Sequence, residues 1–192
     1  AWTRGDLALG AARLGTSGWF RRGAPLAGRV EAELAPAPCA DLLAALPPEL
    51  RGPLDGMALE GVLGARARVA IDLAAPPGEG AALEGALEGG CRVAAEPPAA
   101  DVARLAAAGE QQLLDGSRRL VGPGAPDHVA LRALLPHVPA AFVAAEDARF
   151  FEHGGFDLAE IARSLEADLR AQSLVRGGST ISQQLVKNAF LS

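Results

Sequence analysis

Along the first half of the chain, apolar and polar residues alternate. In Ala65–Ala74 (ARARVAIDLA), Ala67, Val69, Ile71 and Leu73 alternate with Arg66, Arg68 and Asp72. A period of two marks a strand with one face buried. Met57–Gly64 and Ala81–Gly89 share an LEG-x-L core, and Leu26–Leu34 resembles it more loosely. Residues 1 to about 94 therefore read as successive strands of one twisted sheet, with Ala74–Gly80 (AAPPGEG) as a connecting loop. Between strands, Cys39–Leu50 reads as a short helix stopped by Pro47-Pro48. Glu96–Gly109 holds a helix after Pro97-Pro98, and Gln111–Gly122 reads as a hairpin turning at Asp115-Gly116. Gly122–His128 (GPGAPDH) is a linker.

Beyond the linker the period changes to that of a helix. Pro139 suits a first helical turn, and no Gly or Pro follows until Gly154, which predicts a helix from about Pro139 to His153. Phe142, Glu146, Arg149 and His153 would share one side of it, bordered by Phe150. Next, Leu158, Ile161, Leu165 and Leu169 form an apolar stripe, and Glu166 and Arg170 have i,i+4 spacing. After Gly177-Gly178, Thr180 and Gln183 have capping-box spacing. The helix they open would carry Thr180, Gln183, Gln184 and Lys187 on one face. The fold class is α+β: an antiparallel β-rich domain over residues 1–122, then an α-helical part over 127–192.

Charge and composition narrow this picture. A net charge of −5 argues against nucleic acid as a partner. No apolar run reaches membrane-spanning length and no signal peptide is present, so any anchor is expected before Ala1. Arg supplies nearly all the positive charge. Lys187 is the only Lys and Asn188 the only Asn, and they are adjacent, on the polar helix. That face offers hydroxyls, amides and one cation with no carboxylate, and its N-terminal N–H groups can take an anion, which suits a sugar or phosphate ligand. Glu146 has two readings: a solvated carboxylate paired with Arg149, or a general acid or base in an aromatic-walled cleft whose desolvation raises its pKa. His153 alone reads as structural, His137 has no metal-ligand spacing to it, and no metal site is expected.

The two C-terminal segments resemble the first two signature motifs of the peptidoglycan glycosyltransferases (glycosyltransferase family 51), the transglycosylase domains of class A penicillin-binding proteins and their monofunctional relatives. The first motif, E-D-x-x-F-x-x-H-x-G-x-D, is matched at Glu146, Asp147, Phe150, His153, Gly155 and Asp157. The second, G-x-S-T-x-x-Q-Q-L-x-K-N, is matched at Gly177, Ser179, Thr180, Gln183, Gln184, Leu185, Lys187 and Asn188. The resemblance implies a lysozyme-like fold for this part and a reaction that extends glycan strands from lipid II by inverting transfer, releasing lipid pyrophosphate. It makes Glu146 the base and gives Lys187 the pyrophosphate. Ser179, Thr180, Gln183, Gln184 and Asn188 would line the donor cleft. Asp147 and His153 would support Glu146, and Arg163 matches a basic position of the family. The partners would be lipid II, the growing strand and the membrane surface. No cofactor is implied, and a divalent cation is left open. The site would stand at the periplasmic face of the inner membrane, held by an anchor missing from this chain.

The family carries a second catalytic Glu and further basic motifs downstream. The chain ends before them, which makes it an expected fragment with half an active site and no turnover. Asp168 and Arg176 stand where the family often has Asn and Gln. The helix between the motifs is either ordinary core or, by the resemblance, a mobile segment touching the membrane. The N-terminal part looks like the AsmA-like β-rich domains of bacterial envelope proteins. In an oxidising envelope compartment Cys39 and Cys91, the only cysteines, become a candidate disulfide; in cytosol they would be free buried thiols. Two other functions compete: a lytic glycosidase using one Glu as acid, and a non-enzymatic scaffold or lipid-handling domain with a vestigial glycosyltransferase tail.

Overall fold

A computed structural model of the chain describes all residues except Ala1, Arg22, Ala24, Leu113, Leu114, Leu191 and Ser192. It mixes helix and sheet and divides into two compact units, residues 1–95 with 157–178 and residues 96–156 with 179–192. Each unit gathers separate stretches of sequence, so this division runs across the border at residues 122–127.

In the first unit, five antiparallel strands follow one another in space as in sequence: β1 (Trp2–Leu9), β2 (Ala12–Arg21), β3 (Ala27–Pro38), β4 (Ala58–Asp72) and β5 (Ala81–Ala95). The two segments read as separate strands around residue 64 are one strand, β4. Its register on β3 pairs Val69 with Val30 and Arg66 with Glu33, and on β5 Val69 with Leu83 and Arg68 with Glu84. One face is therefore apolar and the other charged, as the period of two requires. On the charged face Arg68 pairs with Glu31 and Glu84, and Arg66 with Glu33 and Glu88. An open groove of about 680 Å³ lies there, but its charges neutralise one another within the sheet. Between β3 and β4 come α1 (Cys39–Ala45), α2 (Pro48–Arg51) and a 3₁₀ turn (Gly52–Leu54).

Few side chains in this unit are fully buried. Ala27, Ala37, Cys39 and Ala162 are, while Leu7, Phe20 and Leu87 stay exposed. Two other devices hold it. Cys39, at the start of α1, forms a disulfide with Cys91 on β5. Gly61, opposite Cys91, has φ 105°, and a Cβ there would come within 2.3 Å of the Gly90 carbonyl oxygen, so only glycine fits. The second device is the helix between the motifs, Leu158–Ala171. Asp157 caps its first turn by accepting from the Glu160 N–H at 2.9 Å. It packs on β5, with Leu158 against Gly85. Glu166, expected to pair with Arg170 at i,i+4 spacing, does so and is 2% exposed. Its carboxylate accepts from the N–H groups of Gly78 and Gly80 at 3.0 Å and from Arg170 Nε at 2.7 Å. Burial pushes the Glu166 pKa up, but the Arg170 bond and the two glycine N–H groups outweigh it and hold it below its ordinary value.

The second unit contains a 3₁₀ turn (Val102–Ala106) where an α-helix was expected after Pro97-Pro98. Asp101 accepts from the Ala103 N–H and starts that turn. The hairpin is present as β6 (Gly109–Gln112) and β7 (Arg118–Val121), with Gly116 at φ 83° in its turn; Leu113 and Leu114 lie outside the described residues. After a 3₁₀ turn at Leu131–Ala133 come α3 (His137–Glu146) and, past the first unit's α4 (Leu158–Ala171), α5 (Ile181–Phe190). α3 is shorter than predicted. It stops at Glu146 because Asp147 turns to φ −161°, ψ 74°, out of the helical region. Arg149 and His153 thus lie in turns beyond the helix, and the predicted stripe of Phe142, Glu146, Arg149 and His153 does not form. No described helix is long and apolar enough to cross a membrane.

Candidate active site

The end of α3, the turns after it and the start of α5 supply the site, all within the second unit. Asp147 is its centre. Its Oδ1 lies 2.9 Å from His153 Nε2, and its Oδ2 accepts from the Ile181 N–H at 3.1 Å. The Gly155 N–H donates to His153 Nδ1 at 3.2 Å. Nδ1 is therefore the acceptor nitrogen, and Nε2 carries the proton that is donated to Asp147. Both side chains are nearly inaccessible, at 7% for His153 and 4% for Asp147. Burial pushes the Asp147 pKa up, but the His153 bond and the Ile181 N–H more than offset this, and it falls below its ordinary value. Asp147 is thus a fixed anion, suited to organising its neighbours.

Thr180 forms the second junction. It is 2% exposed, and its Oγ1 donates to the Gly155 carbonyl at 2.6 Å. The expected capping box is present: the Thr180 N–H donates to Gln183 Oε1 at 2.9 Å, and the Gln183 N–H to Thr180 Oγ1 at 3.2 Å. One expectation changes here. The N–H groups of Gly-Gly-Ser-Thr at this helix N-terminus were to be open to an anion, yet that of Thr180, like those of Ile181 and Gln183 after it, bonds within the protein. The anion at this helix N-terminus is Asp147 itself.

A third bond joins the motifs at the surface. Gln184 Nε2 donates to Glu146 Oε2 at 3.0 Å, with Glu146 exposed. A carboxylate at this place is held by one neutral donor and remains open to a substrate hydroxyl. Lys187 and Asn188 are exposed on α5, one turn beyond Gln183 and Gln184. Ser179 is exposed just before Thr180. Phe150 stands edge-on to Phe151 and to the His153 ring, at 5.0 and 6.4 Å. Arg149 bonds Glu152 rather than Glu146. Arg163 belongs to the first unit, on α4, where it forms a forked bond to Glu160 at 3.0 and 2.7 Å. Among the described residues no group of three or more His, Cys, Asp or Glu is placed to hold a metal ion.

Of the expected site residues, Glu146, Asp147, His153, Thr180, Gln183 and Gln184 are brought together by direct bonds. Sequence spacing contained no sign of the Glu146–Gln184 bond or of the Ile181 N–H on Asp147, because both join residues more than 30 positions apart.

Residues 120–192 match the family model described as Transglycosylase. The chain is similar to a biosynthetic peptidoglycan transglycosylase of Nitrosospira multiformis, at 56% identity over 59 residues, 31% of this chain and 26% of that protein. A protein of the same description from Thiobacillus denitrificans is 60% identical over 52 residues, 27% of this chain and 22% of the relative. Penicillin-binding protein 1F of Bacillus subtilis is 45% identical over 64 residues, 33% of this chain and 9% of the relative. The matched stretch thus spans about a quarter or less of these relatives. No solved structure matches the chain.

Proposed function

We propose, from the premise that residues 120–192 belong to the transglycosylase family, that this chain carries part of the site of a peptidoglycan glycosyltransferase. Its substrates would be lipid II and a growing glycan strand. The observation that carries the reading is the Glu146–Gln184 bond. It joins the carboxylate of one motif to the polar helix face of the other, with Lys187 a turn away.

In this reading Glu146 accepts the proton of the acceptor sugar's 4-hydroxyl as that oxygen attacks the anomeric carbon of the donor. The bond from that carbon to the pyrophosphate breaks on the opposite face, and configuration inverts. Lys187 meets the charge that develops on the leaving pyrophosphate. Because the helix N-terminus is already occupied by Asp147, the side chains of Lys187, Asn188 and Ser179 take the ligand contacts once assigned to its N–H groups. Asp147 and His153 fix the shape of the site and do not react. The site works at the periplasmic face of the bacterial inner membrane.

The test is glycan synthesis from lipid II by the intact protein with Glu146→Gln. Removal of a general base lowers turnover by about 10²- to 10⁴-fold, with the fold preserved by circular dichroism. Undiminished synthesis, or none by the wild-type protein, would move the reading to a scaffold with a vestigial glycosyltransferase segment.

A further inference from the structure

Glu166 lies on α4, in the stretch of chain between the two motifs, yet its main-chain partners come from the turn between β4 and β5, more than 80 residues earlier. Arg170 completes the clamp. While bonded to Glu166 it donates to the carbonyls of Leu73 at 3.1 Å and Ala75 at 2.8 Å. Gly80 makes room for both: a Cβ there would lie 2.8 Å from Glu166 Oε1 and 2.7 Å from Arg170 Nη2. A buried carboxylate with three donors and a cation is held much more firmly than an exposed i,i+4 pair.

The N-terminal end of α4 adjoins the site along the chain, and the stretch after Ala171 returns to it at Gly178. Asp157 follows Gly155 by two residues and Gly178 precedes Thr180 by two. Gly155 and Thr180 are bonded to one another. The returning chain is tied back to α4 by Ser164 Oγ, which donates to the Gly177 carbonyl at 3.0 Å. The latch thus holds at its middle the helix that begins three residues after Gly155.

We propose that the latch from the N-terminal sheet to α4, through Glu166 and Arg170, sets the chain that enters the glycosyltransferase site and so supports binding of the lipid-linked substrate. The proposal rests on the function given above. Glu166 and Arg170 are positioning residues.

Two measurements test this. Amide hydrogen exchange over residues 158–171 is followed in the 192-residue chain, and KM and kcat for lipid II in the intact protein. The variants are Glu166→Gln, Gly80→Ala from the sheet side, and Arg170→Lys as the conservative change. Glu166→Gln and Gly80→Ala should each speed α4 exchange about tenfold, as expected for loss of a charged hydrogen bond. KM should rise by a similar factor while kcat stays within about twofold, with Arg170→Lys intermediate in both. If Glu166→Gln does not fold, Gly80→Ala decides, since it removes no donor or acceptor. Faster exchange with an unchanged KM would overturn the proposal and leave the latch merely structural. Unchanged exchange would overturn it at its first step. If the wild-type protein makes no glycan, the glycosyltransferase reading and the coupling fall together, while the exchange result still shows whether the latch holds α4.

Discussion

The two units are held together by different means. The motif unit is joined by short polar bonds between side chains and main chain: Asp147 to Ile181, Thr180 to Gly155, and Gln183 with Thr180 in a capping box. The sheet unit has an apolar face of Ala, Leu and Val with few fully buried members. It relies on one covalent bridge, Cys39–Cys91, and on the buried Glu166 carboxylate paired with Arg170. A thin apolar layer leaves little stabilisation from burial, so long-range links replace it. In the motif unit the polar bonds fix the residues of the candidate site.

The largest effect should come from the bridge. It closes a loop with a sequence separation of 52, and loop-closure entropy puts its contribution at about 4 kcal/mol. Cys39→Ala with Cys91→Ala should lower the unfolding free energy of the sheet, read from denaturant titration, by that amount. Fluorescence of Trp19, on β2, reports it. A loss under 1 kcal/mol would mean the sheet is supported by packing after all.

Second is Asp147. Asp147→Ala leaves the Ile181 N–H and His153 without their acceptor and should cost about 3 kcal/mol, seen as lost α5 helicity with the sheet intact. The pH response follows the same logic. Asp147 and Glu166 are both held below their ordinary values of 3.8 and 4.5. Their stabilisation is therefore complete above the unfolded-state values and is lost as pH falls through the folded-state ones. Melting temperature should be flat from about pH 7 to 5 and fall below about pH 4. Asp147→Asn should flatten the fall in the motif unit and Glu166→Gln in the sheet unit; a single shared response would erase the distinction between the units.

Third, Thr180→Val removes both the cap and the Gly155 bond while keeping the shape. About 2 kcal/mol is expected, against a smaller loss for Thr180→Ser, by urea titration. The smallest effect belongs to the charged face of the sheet. Arg66→Ala breaks two exposed pairs, to Glu33 and Glu88, and should cost less than about 1 kcal/mol, less still in salt.

Local chemistry was legible in the sequence. The alternation in residues 65–74 gave the strand and its faces, Thr180 and Gln183 gave the capping box, and Asp115-Gly116 the hairpin turn. The two motifs marked Glu146, Asp147, His153, Thr180, Gln183 and Gln184, which the fold joins by direct bonds. Each of these depends on neighbours within a few positions. Where local signals compete, the reading slipped: nothing in EDARFFEH requires the helix to stop at Glu146, because the Asp147 carboxylate is drawn away by Ile181 and His153. The sequence by itself therefore determined the strands' faces, the capping box and the polar residues that the two motifs carry. Tertiary structure alone decided that Glu166 is buried in a turn made 86 residues earlier, that Gln184 meets Glu146, and that Asp147 takes the helix N-terminus expected to hold a ligand. Those outcomes rest on distant main-chain N–H groups, which carry no side-chain signature and are placed only when the whole chain folds.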